Sequence, residues 1–220
     1  MGNSNINSLF FCGCSFTYGE ELDESIRELK NFAGLLGTHY GVKVFNHAKP
    51  AGSNGRIVRK LFTELPKILD QKFTPMVVIA WTQYHRKEIF DVEQNCYRNV
   101  DVPGRDMKCE PFDIMYHTQY SNDAVDALQT LIAKLSVQSF LKTITIPYVF
   151  IEAFASVPKT PEKYLHLEKL LDKQYIIPTN LGDIYKGCEM GPGRHPLEQG
   201  HQMIADYLIS SIDIIHKGAI

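Results

Sequence analysis

The chain has 220 residues, of which 44% are hydrophobic and 22% charged, which predicts one globular domain with enough apolar material for a core. Its net charge of −2 gives no electrostatic reason to expect nucleic acid or an anionic membrane as a partner, and no apolar run is long enough to span a bilayer. Five cysteines without a framework spacing, and no secretory h-region, predict free thiols in a cytoplasmic protein.

Strand-like and helix-like segments alternate in the first half of the chain. Apolar content or alternation predicts three strands, at residues 8–13, 42–48 and 75–81. A capping box at Ser25 followed by apolar residues at helical period predicts a helix up to Leu36, and a second helix is predicted at 57–70. Helices between strands imply right-handed crossovers and hence an α/β fold with a doubly wound parallel sheet.

The second half contains one segment that is too long for an ordinary connection. Residues 83–122 are polar and irregular, which predicts a lid or an inserted subdomain. A helix is then predicted at 123–141, a fourth strand at 144–154 and a short fifth strand at 174–178. The last helix is predicted to start at Pro196. The whole chain is predicted to be a single domain.

Four segments contain the polar residues and glycines that a binding site at a sheet edge requires. In an open α/β sheet, ligands bind at the carboxyl ends of the strands. The four segments follow the first three strands and precede the last helix: GCSFTYG (13–19), AGSNGR (51–56), WTQYHR (81–86) and GPGRHPLEQGH (191–201).

The first and last of these segments resemble sequence blocks of the SGNH/GDSL hydrolases. GCSFTYG is similar to the first block of that family, Gly-Asp-Ser-x-Thr-x-Gly, and RHPLEQGH is similar to the last, in which His-Pro precedes a Gly-His that opens the C-terminal helix. The two motifs occur in the family's order at opposite ends of the chain. More loosely, the start resembles small hydrolase-like proteins of bacteriophages.

The resemblance implies a fold and an activity. The fold is a flavodoxin-like three-layer α/β/α arrangement with about five parallel strands, and the activity is hydrolysis of a small-molecule or carbohydrate ester without a metal or organic cofactor. Ser15 is implied as the nucleophile and His195 as the base. The implied oxyanion donors are the amides of Ser15 and Gly52 and the side chain of Gln83 or Asn54. The candidate substrate contacts are Thr17, Tyr18, Trp81 and Arg86.

Two blocks depart from the family pattern. The third block of the family reads Gly-x-Asn-Asp, but strand three here continues into Thr82 and Gln83. The family's acid stands two or three residues before the histidine, where this chain has Pro192 and Gly193. We expect His195 to cap the last helix, whose N-terminus would keep the imidazole neutral. Candidate groups for orienting the ring are Glu189, Asp183, Glu88 or a backbone carbonyl.

Other interpretations of the same residues stay open at this point. Ser15 and His195 are residue types that also cap turns and helices, which would suit a non-catalytic binding or structural protein, such as a virion-associated one, with the same fold. Cys14 is an alternative nucleophile. A zinc site could be drawn from Cys12, Cys14, Cys188 and His195, although no paired spacing supports it. We expect Cys12 and Cys14 to be buried free thiols, one on each side of the sheet.

Overall fold

A five-stranded parallel sheet forms the centre of the protein. The structure, a computed structural model, describes residues 6–100, 110–155 and 159–216. The strands are β1 Ser8–Cys12, β2 Lys43–Asn46, β3 Pro75–Trp81, β4 Lys87–Asp91, β5 Cys96–Val100, β6 Tyr148–Glu152 and β7 Ile176–Asn180. The parallel sheet has the order β2-β1-β3-β6-β7, whereas β4 and β5 pair as a separate antiparallel hairpin. This is the flavodoxin-like order, and it confirms the predicted fold class.

Helices cover both faces of the sheet. They are α1 Ser15–Tyr18, α2 Arg27–Lys30, α3 Phe32–Tyr40, α4 Asn54–Asp70, α5 Pro111–Met115, α6 Asp123–Thr143, α7 Leu165–Glu168, α8 Leu181–Ile184 and α9 Glu198–His216. A π-helical turn spans Tyr116–Tyr120, and 3₁₀ turns span Glu162–Tyr164 and Lys173–Tyr175. Among the described residues, no helix is long and apolar enough to cross a membrane.

Alternating side chains of β1 show how the two apolar layers arise. Leu9 and Phe11 point into the layer that α3, α8 and α9 cover, whereas Phe10 points into the layer that α4 and α6 cover. Residues of β3 and β6 divide in the same way, because successive side chains of a strand face opposite sides of the sheet. The central strands are therefore buried on both faces, and polar groups are left to the strand ends.

The helix predicted to begin at Ser25 is wrong in its start and its continuity. Ser25 instead hydrogen-bonds to Asp23 through its backbone nitrogen and its hydroxyl, and the chain forms two helices, α2 and α3. Asn31 separates them, because its side chain accepts a hydrogen bond from Gly34 N at 2.8 Å and caps α3. Leu29, one of the apolar residues at helical period that were expected to face the core, is 65% exposed.

The segment predicted to be a lid or an inserted subdomain contains the β4–β5 hairpin, α5 and the π-helical turn, while residues 101–109 lie outside the described residues. Arg59 on α4 holds the hairpin, since its Nε and Nη2 each donate to the Glu88 carboxylate at 2.8 Å. The same guanidinium lies 4.0 Å from the centroid of the Tyr97 ring. Lys87 pairs with Asp126 of α6 at 2.8 Å. The hairpin is thus fastened to two helices of the α/β core.

Candidate active site

Ser15 lies at the carboxyl end of the first strand. The chain leaves β1 at Cys12, turns at Gly13 and enters α1, whose first residue is Ser15. Gly13 is required there, because a Cβ atom would come within 2.1 Å of Thr17 Oγ1. The strand order reverses beside β1, and such a switch point is where α/β sheets of this type bind ligands. Ser15 itself is 5% exposed.

The segment between α8 and α9 carries His195 onto α1. The ring of His195 contacts Phe16, the residue after Ser15, edge to face with 5.5 Å between ring centroids. Phe16 also packs against Phe154 and Tyr185, with ring centroids 5.0 and 5.6 Å away. The first and last sequence blocks therefore meet at the same edge of the sheet.

His195 does not cap the last helix, which corrects the prediction made from Pro196. α9 begins at Glu198, and the first backbone bond of that helix runs from His201 N to Leu197 O. Pro196 instead pairs with Met190 in an isolated bridge. His195 thus lies three residues before α9, and the group that contacts its ring nitrogen is not part of that helix.

That group is Glu21, which none of the predicted candidates included. Its Oε2 lies 2.9 Å from His195 Nδ1 and accepts a hydrogen bond from His195 N at 3.0 Å. Its Oε1 accepts from Gly193 N at 2.6 Å. Burial acts to raise the pKa of Glu21, but the hydrogen bonds from Gly193 N, His195 N and the His195 ring outweigh it and lower that pKa below its usual value.

Two of the predicted orienting acids, Glu88 and Asp183, have other partners. Glu88 is held by Arg59. Asn180 caps α8 by accepting from Asp183 N, and Asn180 Nδ2 donates to the Asp183 carboxylate at 2.5 Å. The backbone carbonyl of Glu189 accepts from Leu197 N at 3.3 Å. The sequence did contain a signal for Glu21, because an acidic pair directly follows the first block and two glycines flank Pro192 just before the last block.

The predicted oxyanion donors differ in how they are engaged. Gly52 lies beside the β1 turn, since a Cβ there would be 3.1 Å from Gly13 O, but its N–H donates to Lys49 O at 3.0 Å. Asn54 donates through Nδ2 to Thr82 O at 3.1 Å and to Thr130 Oγ1 at 3.2 Å. Gln83 is half-buried and is the second residue after β3.

The four candidate substrate contacts fall into two pairs. Thr17 and Trp81 are 0% and 1% exposed, so their side chains pack inside the protein and do not line an open surface. Tyr18 is half-buried, accepts from Arg27 Nη1 at 2.9 Å and lines a groove of about 890 Å³. Arg86 donates to Thr82 Oγ1 at 2.9 Å, and its guanidinium lies 5.1 Å from the centroid of the Phe154 ring.

The four cysteines within the described residues do not gather around His195. Cys12 and Cys14 are buried free thiols in opposite apolar layers, as predicted. Burial raises the pKa of Cys12 to about 12, which keeps it a thiol at neutral pH. Among the described residues, no three His, Cys, Asp or Glu side chains are grouped to hold a metal ion.

Solved structures of ester hydrolases have a similar fold. One is a protein from Desulfitobacterium hafniense described as lipolytic and of the G-D-S-L family (TM-score 0.53, 10% identity, 93% of this chain and 99% of that chain). Another is the psychrotrophic esterase EstA from Pseudoalteromonas sp. (0.53, 11%, 96% and 100%). A third is a carbohydrate esterase family 2 enzyme from Corynascus thermopiles (0.59, 13%, 96% and 67%). The chain therefore has the α/β fold of the SGNH/GDSL hydrolases.

At the level of sequence, the chain belongs to a family described as a family of unknown function (DUF6071), whose model matches residues 19–217. The matched part includes Glu21 and His195 and begins after Ser15. No curated protein matches the sequence.

Proposed function

We propose that this protein is a serine hydrolase that cleaves a small-molecule or carbohydrate ester. Ser15 is the nucleophile and His195 is the base that activates it. The observation that carries the proposal is the contact of His195 with Phe16, because it brings the last sequence block to the residue beside Ser15. The fold shared with ester hydrolases supports the same reaction class.

The first half of the reaction forms an acyl-enzyme. Ser15 Oγ bonds to the ester carbonyl carbon while His195 Nε2 takes the hydroxyl proton, and the electron pair of the C=O double bond moves to oxygen. When that oxyanion collapses, the bond to the alcohol oxygen breaks, and the alcohol leaves with the proton from His195. Water then repeats the two steps, which releases the acid and restores Ser15.

The oxyanion needs hydrogen-bond donors that are directed at it. The amide of Ser15 belongs to the first turn of α1, where backbone N–H groups have no partner within the helix. We assign it as one donor and, from its position after β3 where the SGNH pattern has its third block, the Gln83 side chain as the other. Losing one such donor costs roughly 10²–10³ in rate. Gly52 and Asn54 are engaged within the protein, and we assign them to the shape of the turn and the strand end.

The experiment pairs a fluorophosphonate probe with hydrolysis of p-nitrophenyl acetate. We expect the wild type to be labelled and to turn over, Ser15→Ala and His195→Gln to lose both activities, and Ser139→Ala, an exposed serine on α6, to keep both. Labelling that survives in Ser15→Ala would place the nucleophile elsewhere. A wild type that neither labels nor hydrolyses short esters would refute the proposal and favour a non-catalytic binding protein with this fold.

A further inference from the structure

The contact between Glu21 and His195 specifies which ring nitrogen carries the proton. A carboxylate oxygen only accepts hydrogen bonds, and Oε2 lies 2.9 Å from His195 Nδ1. In the neutral imidazole, Nδ1 must therefore hold the hydrogen, and Nε2 keeps its lone pair. That is the tautomer in which Nε2 can take a proton from a serine hydroxyl.

Both carboxylate oxygens are fixed, which sets the position of the ring as well as its tautomer. Oε1 accepts from Gly193 N, and Oε2 accepts from the backbone and the ring of His195. Three donors from one short segment thus converge on one carboxylate. Because those hydrogen bonds lower the pKa of Glu21, the group remains ionised at neutral pH and can stabilise an imidazolium beside it.

The surrounding backbone is shaped to admit this carboxylate. A Cβ at Gly191 would lie 2.6 Å from Glu21 Cδ, and one at Gly193 would lie 3.0 Å from Glu21 Oε2. Glu21 itself has φ of 68° and Arg194 has φ of 62°, both in the left-handed region that side chains other than glycine rarely adopt. Such outliers are retained where the surrounding contacts determine the conformation, and here both flank the same hydrogen bonds.

From this geometry, and resting on the proposed function, we infer that Glu21 is the positioning acid of the site. It does the work of the acid that the SGNH pattern places beside the histidine, but it comes from the turn after the first sequence block. The two residues are 174 positions apart. Glu21 keeps its charge throughout: the serine proton goes to Nε2 and returns from there, while Nδ1 stays bonded to hydrogen and to the carboxylate.

Determining the tautomer of His195 in the wild-type protein tests the inference without relying on activity. Long-range ¹H–¹⁵N spectra of the ¹⁵N-labelled protein distinguish the two neutral tautomers, and the His195 signals are assigned by their loss in His195→Gln. We expect the neutral ring to carry its proton on Nδ1, and to shift towards the Nε2 form in Glu21→Ala. A wild-type ring protonated on Nε2 would overturn the inference.

Rates of fluorophosphonate labelling test the catalytic consequence. In Glu21→Gln the amide cannot accept from both Gly193 N and His195, and we expect labelling and kcat to fall on the order of 10²-fold or more with little change in KM. The matched control is Glu24→Gln, an exposed residue of the same segment, which should react as the wild type does. Equal labelling of Glu21→Gln and wild type would overturn the inference. If the wild-type ring carries its proton on Nδ1 but the protein is not labelled, the esterase proposal is refuted. The positioning of His195 by Glu21 would still be supported.

Discussion

The side chain of Asn54 binds both backbone groups of Thr82. Oδ1 accepts from Thr82 N at 2.9 Å and Nδ2 donates to Thr82 O at 3.1 Å, so the first residue of α4 fixes the end of β3. The same Nδ2 donates to Thr130 of α6. The buried side-chain amide of Asn54 therefore joins α4, α6 and the end of β3, next to Gln83.

Removing that amide should destabilise the protein. Asn54→Ala leaves the buried N–H and C=O of Thr82 without their partner, and we expect a loss of about 2–4 kcal/mol in the free energy of unfolding. Urea denaturation measures it, with Thr63→Ala on the exposed face of α4 as the control, which should change stability by less than about 0.5 kcal/mol. An Asn54→Ala protein as stable as the control would contradict the assignment of Asn54 to the strand end.

Glycine at position 191 should be needed for the Glu21 carboxylate. In Gly191→Ala the new Cβ would lie 2.6–2.8 Å from the carboxyl atoms of Glu21, so the carboxylate must move off His195. Misplacement by about 1 Å costs on the order of 10²-fold in rate, and we expect that loss in fluorophosphonate labelling. Gly55→Ala is the control, because its Cβ would meet no atom closer than 3.7 Å. Normal labelling of Gly191→Ala would show that the carboxylate tolerates the methyl group.

Local patterns were sufficient to predict the sheet. The apolar run at 75–81 has the same bounds as β3, because a strand that is buried on both faces is apolar along its whole length. The fourth strand was predicted from 144 but begins at Tyr148. Residues 144–146 close α6 instead, with Ile146 N bonded to Leu141 O and Thr145 at φ of 60°. The sequence pattern could not show where the turn ends and the strand begins, since the residues of both are mostly apolar.

The candidate site was predicted less completely, because its key contact joins distant residues. Glu21 is 174 positions from His195 in the sequence, so local spacing could not indicate the contact, which forms only in the folded chain. Strand alternation was the reason given for expecting Cys12 and Cys14 on opposite sides of the sheet. That reason is wrong, because residues two apart in a strand share a face. They lie in opposite layers because β1 ends at Cys12 and the chain turns at Gly13.

His201 should make stability depend on pH. Burial, with a smaller contribution from His195, lowers the pKa of His201 from 6.5 to about 4. Between these values the unfolded chain binds a proton that the folded chain does not, so stability falls as pH falls from 6.5 to about 4, by an amount on the order of 3 kcal/mol. In His201→Asn, where Oδ1 can still accept from Phe32 N, urea unfolding from pH 7 to 4 should show a weaker fall. His166→Asn, at an exposed position of α7, should keep the wild-type slope, and the prediction is wrong if His201→Asn keeps it too.

The bidentate pair of Arg59 and Glu88 should control opening of the β4–β5 hairpin. A lysine at position 59 cannot form both hydrogen bonds or stack on Tyr97 in the same way, so Arg59→Lys should weaken the attachment of the hairpin to α4. Losing one charged hydrogen bond corresponds to about tenfold faster amide exchange in β4 and β5, measured by hydrogen exchange with mass spectrometry. Lys142→Gln removes a more exposed ion pair with Asp172 and should leave that exchange unchanged. Because Arg59 lies outside the apolar layers, exchange in β1 and β3 should also stay at the wild-type rate, and faster exchange there would mean that Arg59 supports the whole fold.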